Sequence, residues 1–257
     1  MHAVLRAVAA ALTLALSAAP AHSGAAGGPD AGAQRPVRVL FIGNSYTFYH
    51  RMPATVSAMA SADDAARPFD TKVVAIPGAT LQQHWDNGAA VAAIRERRWD
   101  YVVLQEHSRR PLLDRPLMHR YASLLHQEIQ RSGARTVFFA TWPRRDHPQT
   151  LAGLKDAYES IAAELRAKVA PVGAVWQRAR ERDPGLELYT DDGSHPTATA
   201  SYLVACTLYL TLRADRARCP VVPAEGVSPL QAERVSEHVA SALPALGPGP
   251  SARQTQR

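Results

Sequence analysis

The stretch "VRVLFIGNSYTFYH", residues 37 to 50, decides the fold. Apart from Arg38 it is apolar from Val37 to Ile42, and it stops at Gly43, Asn44 and Ser45. A run of Val, Leu, Phe and Ile of this length, closed by small polar residues, reads as a buried strand. A strand that is apolar on both faces belongs in a parallel sheet covered by helices on each side. Its end admits two readings: an ordinary polar turn, or a strand that delivers a serine hydroxyl to the edge of the sheet.

Working outward, similar runs recur at "TKVVAIPG" (71 to 78), "DYVVLQ" (100 to 105) and "ARTVFFATW" (134 to 142), with a shorter "KVAPVG" near 168 to 173. Helical patterns lie between them, over about 53 to 62, 80 to 97, 115 to 131 and 149 to 167. This alternation predicts a three-layer α/β/α sandwich around a parallel sheet of about five strands. In such sheets ligands collect at the carboxyl ends of the strands, which directs attention to Ser45, Gly78, Gln105 and Trp142.

The N-terminus reads as an address. "MHAVLRAVAAALTLALSAAPAHS" has a basic start at Arg6, an apolar run from Ala7 to Ala19, and the small-residue pattern Ala19-Pro20-Ala21 suited to cleavage. The expected organisation is a signal peptide over 1–21, a flexible lead-in over 22–36, one domain over 37–243 and a disordered tail over 244–257. No later stretch supplies about 18 consecutive apolar residues, so no integral membrane segment is expected after signal removal, and the predicted location is secreted or periplasmic.

The formal charge of +6 does not point to nucleic acid. All but three of the 29 basic residues are Arg, and they are scattered along the chain rather than set in a phosphate-tracking stripe. The two cysteines, Cys206 and Cys219, are too few for a Cys-rich metal site. In an exported chain they pair as one disulfide, the competing reading being two free thiols.

A second signal lies in "LYTDDGSHPTATASYLVACTLYLTL", residues 188 to 212. Asp192 and His195 stand three apart in a turn-forming stretch, and Pro196 opens an apolar helix. A carboxylate beside one imidazole nitrogen fixes the tautomer and leaves the other nitrogen free to take a proton from a hydroxyl. The same residues also fit a capped helix start with an incidental histidine. Gly43 reads as allowing a sharp turn after the strand, and Gly78 as allowing close backbone approach to a carbonyl. Glu106 reads as a solvated loop charge, the competing reading being a substrate contact, and His107 as an exposed loop histidine, the competing reading being a rival base. Trp142 reads either as the wall of a substrate pocket or as a core aromatic.

Taken together, "FIGNS" after the first strand, a glycine after the second, an amide in "LQEHS" after the third, and Asp-x-x-His near the C-terminus resemble the SGNH or GDSL hydrolase superfamily, over about residues 37 to 212. The resemblance implies a flavodoxin-like SGNH hydrolase fold and a secreted serine esterase. Ser45 would be the nucleophile, Asp192 and His195 its partners, and Ser45, Gly78 and Gln105 the oxyanion donors. Two departures stand out: Gly-Asn-Ser replaces the commoner Gly-Asp-Ser, and Gln105 replaces an asparagine one methylene shorter. The implied substrates are small acyl esters, with O-acetyl groups on carbohydrate as the expected class, and no metal or organic cofactor. An inactive glycan-binding scaffold and an acyltransferase to a surface polymer are the competing readings.

Overall fold

The computed structural model describes residues 35–63 and 67–245. The expected signal peptide, the lead-in up to Gln34 and the tail from residue 246 lie outside the described residues. Pro244 and Ala245, read as the start of the tail, close the last helix.

Five strands form one sheet: β1 (Val37–Gly43), β2 (Phe69–Ala75), β3 (Tyr101–Leu104), β4 (Arg135–Phe139) and β5 (Lys168–Ala170). The spatial order is β2-β1-β3-β4-β5 and every pair is parallel. The expected three-layer parallel architecture is therefore present. The helices are α1 (Ser45–Phe48), α2 (Met52–Ser61), α3 (Leu81–Asp86), α4 (Ala89–Glu96), α5 (Arg110–Leu113), α6 (Arg115–Arg131), α7 (Leu151–Leu165), α8 (Val172–Arg182), α9 (Ala198–Arg213) and α10 (Pro229–Ala245).

Period-two alternation along β1 sorts its side chains between two cores. Val39 and Phe41 face a core built with α2, α8, α9 and α10, where Val56, Trp176, Leu203 and Val235 are buried. Leu40 and Ile42 face a second core built with α4, α6 and α7, where Ile94, Leu125 and Ile161 are buried. Both faces of the sheet are covered, which is why the strands read as continuous apolar runs.

The second strand runs Phe69–Ala75 and stops short of Gly78, and three further sequence-based boundaries shift. The helix expected over 80–97 is two, broken at Gly88, whose φ of 75° ends the first and precedes the second. The fourth strand stops at Phe139, so Trp142 lies beyond it. The fifth stops at Ala170 because Pro171 and Gly173 turn into α8. A Cβ at Gly173 would stand 2.2 Å from the Thr141 carbonyl oxygen, so only glycine lets α8 begin there.

The strand order reverses between β1 and β3: β1 is followed by its neighbour β2 on one side, and the chain then crosses to β3 on the other. Such a switch point opens a crevice at the carboxyl ends of the two strands. Ser45 follows β1 there, and Gln105 follows β3.

Candidate active site

Ser45 owes its position to the residue before it. Asn44 is the N-cap of α1, its side-chain oxygen accepting from the Tyr46 N–H at 3.1 Å. The Asn44 amide nitrogen donates to the Ala79 carbonyl oxygen at 2.9 Å. One side chain thus starts the helix that carries Ser45 and holds the segment after β2 against it.

The partner segment is a short closed excursion. Tyr189 and Pro196 form an antiparallel bridge, and Gly193 turns the chain with φ of 65°. The Thr190 N–H donates to the His195 carbonyl at 2.9 Å, and the Gly193 N–H to the Thr190 carbonyl at 3.0 Å. Pro196 precedes the Thr197 cap of α9 rather than opening the helix. Arg145 clamps the excursion from outside: its N–H donates to Gly193 O at 2.8 Å, and its guanidinium to Tyr189 O at 3.1 Å and Thr190 O at 2.8 Å.

These two segments bring Ser45, His195 and Asp192 into one series. Ser45 Oγ and His195 Nε2 are 2.9 Å apart. His195 Nδ1 is hydrogen-bonded to Asp192 Oδ2. A carboxylate can only accept, so the proton sits on Nδ1 and Nε2 is left to accept from the serine hydroxyl. The other Asp192 oxygen accepts from the N–H groups of Ser194 at 2.8 Å and His195 at 2.9 Å, and from Thr190 Oγ1 at 2.9 Å. Burial by itself would push this carboxyl up, but the His195 side chain and the other three donors outweigh it and hold the group well below the usual carboxylate range. It is an anion at any working pH.

Aromatic rings fix the geometry, and the sequence reading gave them no such role. Trp142 is fully buried, stacked between Tyr46 at 4.3 Å and Trp176 at 4.2 Å between centroids. Its indole N–H donates to Ser194 O at 3.1 Å, and the Tyr46 hydroxyl is 2.6 Å from Ser194 Oγ. Of the two readings of Trp142 the core aromatic holds and the pocket wall does not, because a side chain enclosed on both faces has no surface left for a substrate. It is a pillar joining the helix of Ser45 to the loop of His195. Tyr49 stacks on the His195 ring, with centroids 4.6 Å apart, and faces the charge that the imidazole gains on protonation. His50 and Arg51 follow with φ of 47° and 52°, and His50 Nε2 lies 3.2 Å from Pro196 O. Two consecutive non-glycine residues in the left-handed region are the kind of backbone strain that collects at functional sites. Only the run "YTFYH" hinted at them.

Gln105 is fully buried and does not face the crevice. Its carbonyl oxygen accepts from the Asn44 N–H and from Thr47 Oγ1, each at 2.9 Å, and its amide nitrogen donates to Glu106 O at 2.6 Å. The expected side-chain oxyanion donor is thus a brace. Gly43 is what admits it, since a Cβ there would lie 2.5 Å from Gln105 Oε1 and 2.4 Å from Thr47 Oγ1. The glycine serves close approach, and not the sharp turn that the sequence suggests. The Gly43 carbonyl accepts from buried His84 Nε2 at 2.7 Å, and burial lowers the His84 pKa, which keeps that ring neutral.

Glu106 corrects a further expectation: it is 1% exposed, not solvated. Its Oε1 accepts from Leu81 N at 3.2 Å and His107 N at 2.6 Å. Burial pushes its carboxyl up to about 7, against the pull of those N–H groups and of Arg110. Glu106 ties the segment after β3 to the one after β2. His107 is half-buried rather than exposed, and burial, together with Arg144, Arg110 and Arg109, lowers its pKa.

Two backbone N–H groups remain for an oxyanion. Among the described residues no acceptor takes the N–H of Ser45, the first residue of α1, or that of Gly78, which has φ of 67° in the turn after β2.

No protein-family model matches the chain, and no curated protein matches it. Solved structures do. A protein from Slackia heliotrinireducens, named as a candidate SGNH hydrolase, is 29% identical over 69% of this chain and 100% of that one, with a TM-score of 0.59. A DUF4886 family protein from Bacteroides uniformis is 19% identical, covers 81% of this chain and 95% of that one, and has a TM-score of 0.67. A mutant of an acetyl-xylooligosaccharide esterase from Geobacillus is 14% identical over 71% and 94% of the two chains, with a TM-score of 0.54. The chain has the SGNH/GDSL hydrolase fold.

Proposed function

We propose that this protein is an exported serine esterase that removes small acyl groups, O-acetyl esters of carbohydrate being its substrate class. The observation that carries the reading is the 2.9 Å contact between Ser45 Oγ and His195 Nε2, with Asp192 behind the imidazole. A serine hydroxyl becomes an effective nucleophile when a base takes its proton during attack. In the first step Ser45 Oγ bonds to the ester carbonyl carbon while its proton passes to His195 Nε2. The carbonyl oxygen takes the negative charge toward the N–H groups of Ser45 and Gly78. Collapse breaks the bond to the alcohol oxygen, which receives the proton from His195, and an acyl-enzyme remains on Ser45. Water then attacks the acyl carbon while giving a proton to His195 Nε2; collapse breaks the bond between the acyl carbon and Ser45 Oγ, which takes the proton back from His195, and the acid departs.

The anionic Asp192 favours the imidazolium formed in both steps. The carbohydrate class is supported by acetyl xylan and acetyl-xylooligosaccharide esterases among the proteins sharing the fold. Export is supported by the signal-like N-terminus and by the Cys206–Cys219 disulfide, a bond that persists in oxidising compartments. Labelling with a fluorophosphonate, followed by peptide mapping, tests the reading. The expected result is one modified residue, Ser45, together with loss of p-nitrophenyl acetate turnover in Ser45→Ala. Modification elsewhere, or a Ser45→Ala protein as active as the wild type, overturns it.

A further inference from the structure

A cleft of about 440 Å³ lies between the turn after β2 and α3, and nothing in the steps above uses it. Ile76, Pro77 and Ala79 form one side, and Gln83, Asp86 and Asn87 the other. Pro77 and Ala79 flank Gly78, so the cleft begins next to one of the two free oxyanion N–H groups. The Ala79 carbonyl is held by Asn44, which fixes this wall relative to Ser45.

Its polar groups are half used. Gln83 Oε1 accepts from Thr80 N at 2.9 Å, leaving the Gln83 amide N–H groups free among the described residues. Asn87 Oδ1 accepts from Ala89 N at 3.0 Å, again leaving the amide N–H groups. Asp86 has no ion pair or hydrogen bond among the described residues. It is the last residue of α3, where a negative charge faces the unpaired carbonyls of a helix end. Like Gln83 and Asn87 it is exposed, so its carboxylate is open to a ligand from solvent. Ile76, 39% exposed, and Pro77 supply the apolar part.

A ligand that satisfies this set must both donate, to Asp86, and accept, from Gln83 and Asn87. It must also place a C–H surface on Ile76 and Pro77. A saturated ring bearing several hydroxyls does both. An acyl chain would leave the polar groups unpaired, and an acidic sugar would meet the Asp86 charge. We propose that the cleft is a subsite for a neutral sugar unit of the esterified carbohydrate, its hydroxyls read by Asp86, Gln83 and Asn87. The proposal rests on the esterase reading for its chemistry, but the subsite is testable apart from it.

Two measurements test it on the full protein. The first is the ratio of kcat/KM on an acetylated xylooligosaccharide to that on p-nitrophenyl acetate, which carries no sugar. In Asp86→Asn this ratio is expected to fall about 10-fold, the usual consequence of losing a hydrogen bond to a charged group, and in Asn87→Asp, which keeps the acceptor for Ala89, about 3-fold, as for a neutral one. An unchanged ratio overturns the subsite. So does a change in preference between p-nitrophenyl acetate and p-nitrophenyl butyrate, which would assign the cleft to the acyl group. The second is binding of unesterified xylooligosaccharide to Ser45→Ala by titration calorimetry, which needs no turnover. Weaker binding in Ser45→Ala with Asp86→Asn supports the subsite, and absent or equal binding overturns it. If the wild type hydrolyses neither ester, the esterase reading fails while the binding measurement still decides the cleft.

Discussion

Gln105 matters through its carbonyl oxygen. That one atom receives the Asn44 N–H and the Thr47 hydroxyl, both buried, so removing it strands two donors. Each unsatisfied donor costs about 1–3 kcal/mol, and for a domain of this size each kcal/mol moves Tm by about 2–4 °C. Gln105→Ala is therefore expected to lower Tm by about 5–15 °C and kcat with it, as Ser45 loses its bracing. A variant with wild-type Tm and a reduced kcat would return Gln105 to the role of oxyanion donor. Glu106 gives a pH-dependent counterpart. Burial raises its folded-state pKa to about 7, so the folded protein holds this proton more tightly than the unfolded chain does. The stability it contributes is fully present below the unfolded value of about 4.5 and is lost as pH rises toward 7, amounting to about 3 kcal/mol above that. Glu106→Gln keeps an acceptor for Leu81 and His107 but cannot ionise. The variant's Tm relative to wild type is expected to rise between pH 5 and pH 8. A difference that does not vary with pH would show that Glu106 does not titrate in this range.

At the scale of elements, the alignment of Ser45, His195 and Asp192 depends on rings that join α1 to the excursion before α9. Trp142→Phe preserves a ring between Tyr46 and Trp176 but deletes the donor to the buried Ser194 carbonyl. The expected cost is about 1–3 kcal/mol of stability, with a lower kcat at nearly constant KM, because the loss falls on the placement of His195 and not on substrate contacts. A raised KM with unchanged kcat would instead mean that the ring meets substrate. This pillar also marks where the sequence stops being legible. The strands could be read because each is apolar on both faces. Ser45 with Asp192 and His195 could be picked out because a strand end and a Gly-Ser turn are local signals. Gln105, Glu106 and Trp142 look alike in sequence whether they face the crevice or the interior, so the first two read as crevice or loop groups and Trp142 as either pocket wall or core aromatic, the second being its place. Their orientation is set by long-range partners: Asn44 for Gln105, Leu81 for Glu106, Tyr46 and Trp176 for Trp142. The helices α8 and α10 went unread for a related reason. Arg-rich "WQRARER" and the Ala- and Glu-containing last helix bury their apolar stripes against α9 and against each other, partners far apart in the sequence.

At the scale of the whole molecule, one face of the sheet is sealed by α9, whose interior residues are buried nearly all round, and α9 is itself covered by α10. The Cys206–Cys219 disulfide joins the middle of α9 to the segment that leads into α10, with Cα atoms 5.5 Å apart. Ser236 of α10 donates to the Cys219 carbonyl at 2.9 Å, so the bridge also anchors the outer helix. The cross-link closes a loop with a sequence separation of 13, and a loop of about that length is worth about 3 kcal/mol in restricted unfolded-state freedom. Reduction, or Cys206→Ala with Cys219→Ser, is then expected to lower Tm by about 6–12 °C. The bridge touches none of Ser45, His195, Asp192 or Gly78, so kcat and KM measured well below the transition are expected to match those of the oxidised protein. If Tm does not move, α9 and α10 are held by packing alone. If kcat falls while Tm holds, the bridge communicates with the excursion at the start of α9, and the separation between this outer layer and the site is wrong.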